Sequence, residues 1–167
     1  MVDDDVTVRM LIGIALEAQQ VIEASRVQEA LDIVATEAVD AAVIDHRIPD
    51  GDGLIVVRAL RRSELNADIP VVVLTAGYEP ERLPIALGAG ADAYVGKPFE
   101  PADLETLLVR LLAATPQQRR TRRTLLRARA LVGKPPGPFD ELLDELVEPP
   151  APPARGRFGR GRARRPP

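Results

Sequence analysis

Apolar residues along this chain fall into two alternating rhythms. Short unbroken apolar runs read as buried β-strands, and stretches with apolar positions every three or four residues read as helices. The clearest run is Val71–Thr75, an unbroken series of β-branched residues and Leu. Residues 41–45 and 93–95 have the same character, and residues 21–24 form a shorter candidate. Val8, Leu11, Ile12 and Ala15 keep helical spacing. Ser25 followed by Gln28 has the form of a capping box and predicts a helix through about Ala35. The Gly- and Asp-rich turn 49–53 predicts a helix at Leu54–Arg62. A short helix is predicted around residues 82–87, closed by Gly88 and Gly90. A helix starting near Pro101 carries the stripe Leu104, Leu107, Leu108, Leu111 and Leu112. Strands alternating with helices predict a parallel sheet covered on both faces, with right-handed crossovers.

The pattern changes after residue 115. Thr115, Pro116 and Gln118 predict a fresh helix start, with proline at the first helical position. Residues 118–132 predict a strongly basic helix, stopped by Gly133 and the linker KPPGP. Phe139, Leu142, Leu143, Leu146 and Val147 share one face of a short acidic helix. Residues 149–167 are low-complexity, rich in Pro, Arg and Gly, and predict disorder. The chain therefore divides into a globular unit at 1–115, a charged helical extension at 116–148 and a tail at 149–167.

Charge sharpens this division. Residues 1–115 hold 9 basic and 20 acidic side chains, a net of −11, and residues 116–167 hold 13 and 5, a net of +8. The core is aliphatic, with 46% hydrophobic residues but only 3% aromatic. The chain lacks cysteine, which excludes disulfides, thiolate metal sites and cysteine nucleophiles. A single histidine, His46, excludes a histidine-rich metal site. No apolar run approaches a membrane span, and the acidic start is unlike a secretory leader, so a soluble cytoplasmic protein is expected.

Four clusters stand at or beside strand ends: Asp3 and Asp4, Asp45, Thr75, and Lys97 with Pro98. Open α/β sheets bind ligands along the edge formed by such ends. Carboxylates for a metal, one carboxylate to accept a group, a hydroxyl and an ammonium together suit phosphoryl transfer. The segments VDDD, VIDHRIPDGDGL, VVVLTAG and GADAYVGKPF resemble the receiver domain of bacterial two-component response regulators, in order and in spacing, over about residues 1–114. The resemblance implies a flavodoxin-like (βα)5 doubly wound sheet with strand order 2-1-3-4-5.

By the same resemblance, Asp45 is the phospho-acceptor, and a histidine kinase or phosphotransfer protein is the donor. Mg²⁺ is the implied cofactor, held by Asp4, Asp45 and the backbone carbonyl of Arg47, with Asp3 acting mainly through water. Lys97 pairs with the acceptor carboxylate and then with a phosphoryl oxygen. Thr75 bonds another phosphoryl oxygen, Tyr94 is the aromatic switch that turns inward as Thr75 moves, and Pro98 implies a cis Lys97–Pro98 bond. The protein then catalyses only its own phosphotransfer and dephosphorylation. His46, one position along the strand, points away from the pocket and is expected to be packed or exposed. Arg47 returns to the pocket side.

Two departures from the family pattern carry expectations. Only Met1 and Val2 precede the acidic pair, where strand one normally has four or five apolar residues. That predicts unpaired backbone on both neighbouring strands and a natural start a few residues upstream. Pro84 falls inside the expected fourth helix, which must start late, near Arg82, or be distorted. A haloacid-dehalogenase-type hydrolase uses similar groups, but its nucleophile follows its first strand. A phosphate-independent scaffold is the alternative reading. For the extension, three roles stay open: an inert tail, electrostatic docking within the molecule or onto a protein partner, and nucleic-acid binding by the arginine-rich segments.

Overall fold

The computed structural model describes residues 1–16, 19–77 and 81–132. Its centre is a parallel sheet of β1 (Ala42–Asp45), β4 (Val71–Thr75) and β5 (Ala93–Gly96), in the order β1-β4-β5. A small antiparallel hairpin, β2 (Arg47–Ile48) and β3 (Gly51–Asp52), follows β1 directly. The helices are α1 (Val6–Ala15), α2 (Val27–Thr36), α3 (Leu54–Arg62), α4 (Leu83–Ala89), α5 (Pro101–Ala113) and α6 (Pro116–Leu131).

Successive strand residues point to opposite faces, and this sorts the core into two layers. Val43, Val72, Leu74, Ala93 and Val95 face α1 and α5, meeting Ile12, Leu104, Leu107, Leu108 and Leu111. Ile44, Val71, Val73 and Tyr94 face the other way, toward side chains of α2, α3, α4 and α6. All five residues of β4 are buried, as its apolar run requires for a central strand.

The two remaining strand positions are reduced to single bridges. Val2 bridges Ala24 on one side and Ile44 on the other, both in parallel sense. The spatial order is therefore the 2-1-3-4-5 arrangement of the flavodoxin-like fold, with its first two strands cut to their minimum. The expectation of unpaired backbone is corrected here. Val2 N–H donates to Val43 O at 2.8 Å and Asp45 N–H to Val2 O at 2.7 Å. Asp3 N–H donates to Ala24 O at 3.1 Å and Ala24 N–H to Met1 O at 2.8 Å. The Met1 ammonium adds a bond to Ile22 O at 2.6 Å. Three residues alternate donor and acceptor well enough to stitch both neighbours, because parallel pairing needs only every second residue on each side. The expected strand at 21–24 likewise survives only as Ala24.

Helix starts show where local signals were sufficient. Pro84 sits in the first turn of α4, where a missing N–H costs nothing, and the helix begins late as expected. Gly90 closes α4 at φ 115°, and a Cβ there would lie 2.6 Å from Arg61 Cγ. At α6 the Thr115 hydroxyl accepts from Gln118 N–H while the Gln118 side chain accepts from Thr115 N–H, a complete capping box. At α2 the expected box is absent. Gln28 turns to Asp32, Ser25 bonds Glu29, and the Val27 and Gln28 N–H groups donate to the Asp50 carboxylate from the hairpin. A carboxylate delivered across the chain displaces the local cap because it carries full negative charge to the helix N-terminus.

The basic helix α6 packs on α4. Leu126 is fully buried among α4 residues, and Arg119 and Arg122 are nearly so. Arg119 donates to the carbonyls of Leu111, Ala114 and Asp68, and Arg122 to that of Asp92. Asp92 is the hub, pairing with Arg61 of α3 at 2.9 Å and Arg123 of α6 at 2.7 Å while accepting from Val71 N–H. Burial pulls the guanidinium pKa values of Arg61 and Arg122 down to about 10, against the raising effect of Asp92. Both stay charged at neutral pH. The expected acidic helix and the tail beyond it lie outside the described residues.

Candidate functional site

Asp45 is the last residue of β1, and its carboxylate emerges at the carboxyl edge of the sheet. Asp3 and Asp4 arrive beside it from the single-bridge strand at Val2. Lys97 follows the last residue of β5. Its ammonium bridges Asp3 Oδ2 at 2.7 Å and Asp45 Oδ2 at 2.6 Å. The remaining oxygens are held by backbone: Asp5 N–H donates to Asp3 Oδ1 at 3.0 Å and Arg47 N–H to Asp45 Oδ1 at 3.1 Å. The Lys97–Pro98 peptide is cis.

Electrostatics follow from this packing. Asp3 is fully buried, and desolvation raises its carboxyl pKa despite the opposing pull of Lys97. Desolvation works to lower the Lys97 pKa, but the hydrogen bonds and charges of Asp3 and Asp45 outweigh it and the net shift is upward. One ammonium is thus shared by two carboxylates, with Asp4 exposed at the rim.

Carboxylate oxygens of Asp3, Asp4 and Asp45 lie within 4.8 Å of one another. These are hard oxygen donors with water access through Asp4, which is the donor chemistry a Mg²⁺ ion needs. Soft or imidazole donors are absent from the cluster. The residues present therefore fit the cation that the sequence implied.

Thr75, at the end of β4, is nearly buried and donates its hydroxyl to Gly77 O at 3.0 Å. Its carbonyl accepts from Lys97 N–H at 2.7 Å, and Leu74 O accepts from His46 N–H at 2.7 Å. Backbone bonds thus tie the strand ends carrying Asp45, Thr75 and Lys97 into one frame. Tyr94 is fully buried in the α4 layer, and its hydroxyl shares a 3.1 Å hydrogen bond with His46 Nδ1. The two rings meet edge to face at 5.8 Å. His46 is packed rather than exposed, and burial lowers its pKa, which favours the neutral ring. The Arg47 side chain is exposed, and its backbone N–H is the part that reaches Asp45.

Two supports were not visible beforehand. Arg9, on α1, donates to the carbonyls of Asp3 and Asp4 at 2.8 and 3.1 Å while pairing with Glu23 at 2.9 Å. It holds the acidic loop in place. Gly53 donates its N–H to His46 O at 2.9 Å, and a Cβ at Gly53 would sit 1.9 Å from Asp45 O. The hairpin returns so close to β1 that only glycine fits. The VIDHRIPDGDG segment contained both ends of this contact but not its closeness.

The fold and site together define a two-component receiver. The Response regulator receiver domain profile matches residues 1–109, and the chain belongs to that family. It is 35% identical over 117 residues to the phosphate regulon transcriptional regulatory protein PhoB of Pseudomonas aeruginosa, covering 69% of this chain and 51% of PhoB. It is 37% identical over 110 residues to the KDP operon transcriptional regulatory protein KdpE of Escherichia coli, covering 65% of this chain and 48% of KdpE. The chain thus spans about half the length of the curated relatives it matches. Among solved structures it resembles the receiver domain of sensor histidine kinase PA1611 from Pseudomonas aeruginosa, which has a magnesium ion in its active-site cleft. That match has TM-score 0.62 and 27% identity, covering 68% of this chain and 94% of the other. Among the described residues no helix is long and apolar enough to cross a membrane.

Proposed function

We propose that this chain accepts a phosphoryl group on Asp45 from a histidine kinase or phosphotransfer protein. The observation that carries this reading is the shared ammonium. Lys97 spans Asp3 and Asp45, so the acceptor carboxylate is already paired with a cation. An Asp45 carboxylate oxygen attacks the phosphorus, a P–O bond forms and the P–N bond to the donor imidazole breaks. The departing nitrogen takes the bonding pair and is left as a neutral or protonated ring. Two anionic partners meet in this step, so cation placement dominates its rate.

Asp4 and Asp45 would hold Mg²⁺ together with the Arg47 carbonyl, with Asp3 one water away. The ion would supply charge neutralisation for the phosphoryl oxygens. Lys97 moves its ammonium from carboxylate to phosphoryl oxygen. Thr75 gives up Gly77 O for another phosphoryl oxygen and draws the β4–α4 connection inward. Tyr94 is the switch residue in this reading, and Thr75 motion is felt through the backbone frame beside it. The chain takes the phosphoryl group from its donor and then hydrolyses its own aspartyl phosphate, and it turns over no substrate beyond that donor. We assign the receiver to 1–115, followed by the 116–148 extension and the 149–167 tail.

Beryllofluoride with Mg²⁺ mimics the aspartyl phosphate and tests this directly. It should raise the melting temperature of the wild type and leave Asp45→Ala unchanged. An equal rise in both proteins, or none in either, would overturn the assignment. Acetyl phosphate with Mg²⁺ should add one phosphoryl mass, mapping to the peptide that contains Asp45.

A further inference from the structure

An open groove of about 450 Å³ lies along α4, and none of the aspartate-site residues line it. Pro84, Ile85 and Leu131 supply its apolar part, and Ile85 and Leu131 are 54% and 68% exposed. Arg58 of α3 stands on one side and Arg127 of α6 on the other, with Glu81 at the end near the start of α4. Arg127 lies over Gly88, where a Cβ would come within 3.3 Å of its guanidinium carbon.

The orientation of α6 decides what can reach this groove. Arg123 pairs with Asp92, just beyond the end of α4, whereas Leu131 shares the groove with Pro84 and Ile85 at the start of α4. The two helices therefore run antiparallel, and the chain leaves α6 at the groove itself. The next residues, GKPPGP at 133–138, reach at most about 20 Å when extended. Then comes FDELLDELVE at 139–148, which carries five acidic residues and no basic one. Its apolar residues Phe139, Leu142, Leu143, Leu146 and Val147 recur at helical spacing.

We propose that residues 139–148 dock into the groove between α3, α4 and α6. The apolar stripe covers Ile85, Leu131 and Pro84, and the carboxylates meet Arg58 and Arg127. Glu81 disfavours an acidic occupant at its end of the groove, so the segment seats toward Arg127. The tether makes this an intramolecular event at high effective concentration. The chain would then cover its own α4 surface. This rests on the groove and the sequence beyond α6, and it holds whether or not Asp45 is phosphorylated.

A cysteine-free background makes the test direct. Ile85→Cys with Leu143→Cys, in the full chain, should close an internal disulfide on mild oxidation. The rate should exceed by about tenfold that of a control pair, Val109→Cys with Leu143→Cys, because Val109 is exposed on α5 in the opposite helix layer. Adding Arg58→Glu and Arg127→Glu should bring the first pair down to the control rate. All the altered groove positions are exposed, and unchanged melting temperatures confirm folding. Equal rates for the two pairs would overturn the proposal. So would a disulfide-linked dimer as the main product, which would make a second copy the occupant. A rate unmoved by the charge reversals would overturn the charge-based seating.

Discussion

Asp3 illustrates how burial of one carboxylate lowers stability. Its carboxylate is fully buried, and desolvation raises its pKa above the ordinary carboxylate range. The folded state therefore binds a proton more tightly than the unfolded chain between the two pKa values. Stability falls as pH rises through that window and stays lower above it. Asp3→Asn removes the buried charge while Asp45 still pairs Lys97. The variant should melt about 2–5 °C above wild type at pH 7. That gap should close as pH falls below the raised Asp3 value toward the unfolded carboxylate range. A melting series from pH 7 to acid checks it, and a gap that widened on acidification would contradict the desolvation argument. At Gly53 the constraint is steric. A methyl 1.9 Å from Asp45 O cannot be accommodated without moving β1 or the hairpin. Gly53→Ala should cost about 3 kcal/mol or prevent folding, read by urea unfolding.

At the scale of elements, the legible features were those written locally. The β-branched run Val71–Thr75 could only be a buried strand, and Thr115 with Gln118 could only open a helix. Asp45, Thr75 and Lys97 were legible as a candidate cluster because each stands at or just past a strand end, and their convergence follows from parallel topology. What escaped was tertiary. Asp50 caps α2 from the hairpin, and nothing near Ser25 announces it. The Tyr94–His46 bond spans 48 residues. The docking of α6 was one option among several because arginine is ordinarily a surface residue. Here Arg119 and Arg122 are buried because four carbonyls accept their protons, while Arg123 pairs with the Asp92 carboxylate. This arrangement ranks two substitutions. Leu126→Ala should cost about 3 kcal/mol as a buried truncation. Thr115→Ala, which removes only a cap, should cost about 1 kcal/mol. Chemical denaturation of both should preserve that order, and a near-neutral Leu126→Ala would mean that α6 is not seated as described.

For the whole molecule, the charge split becomes a structural interaction. Residues 1–115 carry a net charge of −11, and α6 brings six arginines and no acid against them. A chain ending at residue 115 loses the burial of Leu126 and the α6 arginines around Asp92, keeping only Arg61 there, and it keeps the full self-repulsion of its acidic body. It should melt well below a chain ending at residue 132. Salt then separates the two contributions. In the shorter chain, added NaCl mainly screens repulsion and should raise the melting temperature. In the longer chain the same salt also weakens the attraction between α6 and the acidic body, so the rise should be smaller or reversed. The apolar contact at Leu126 does not depend on screening, so the longer chain should stay the more stable one even near 1 M salt, where the Debye length is about 3 Å. Melting curves of the two chains across salt concentration measure this. If their melting temperatures converged at high salt, α6 would be held by charge alone, and the buried leucine would contribute nothing to its seat.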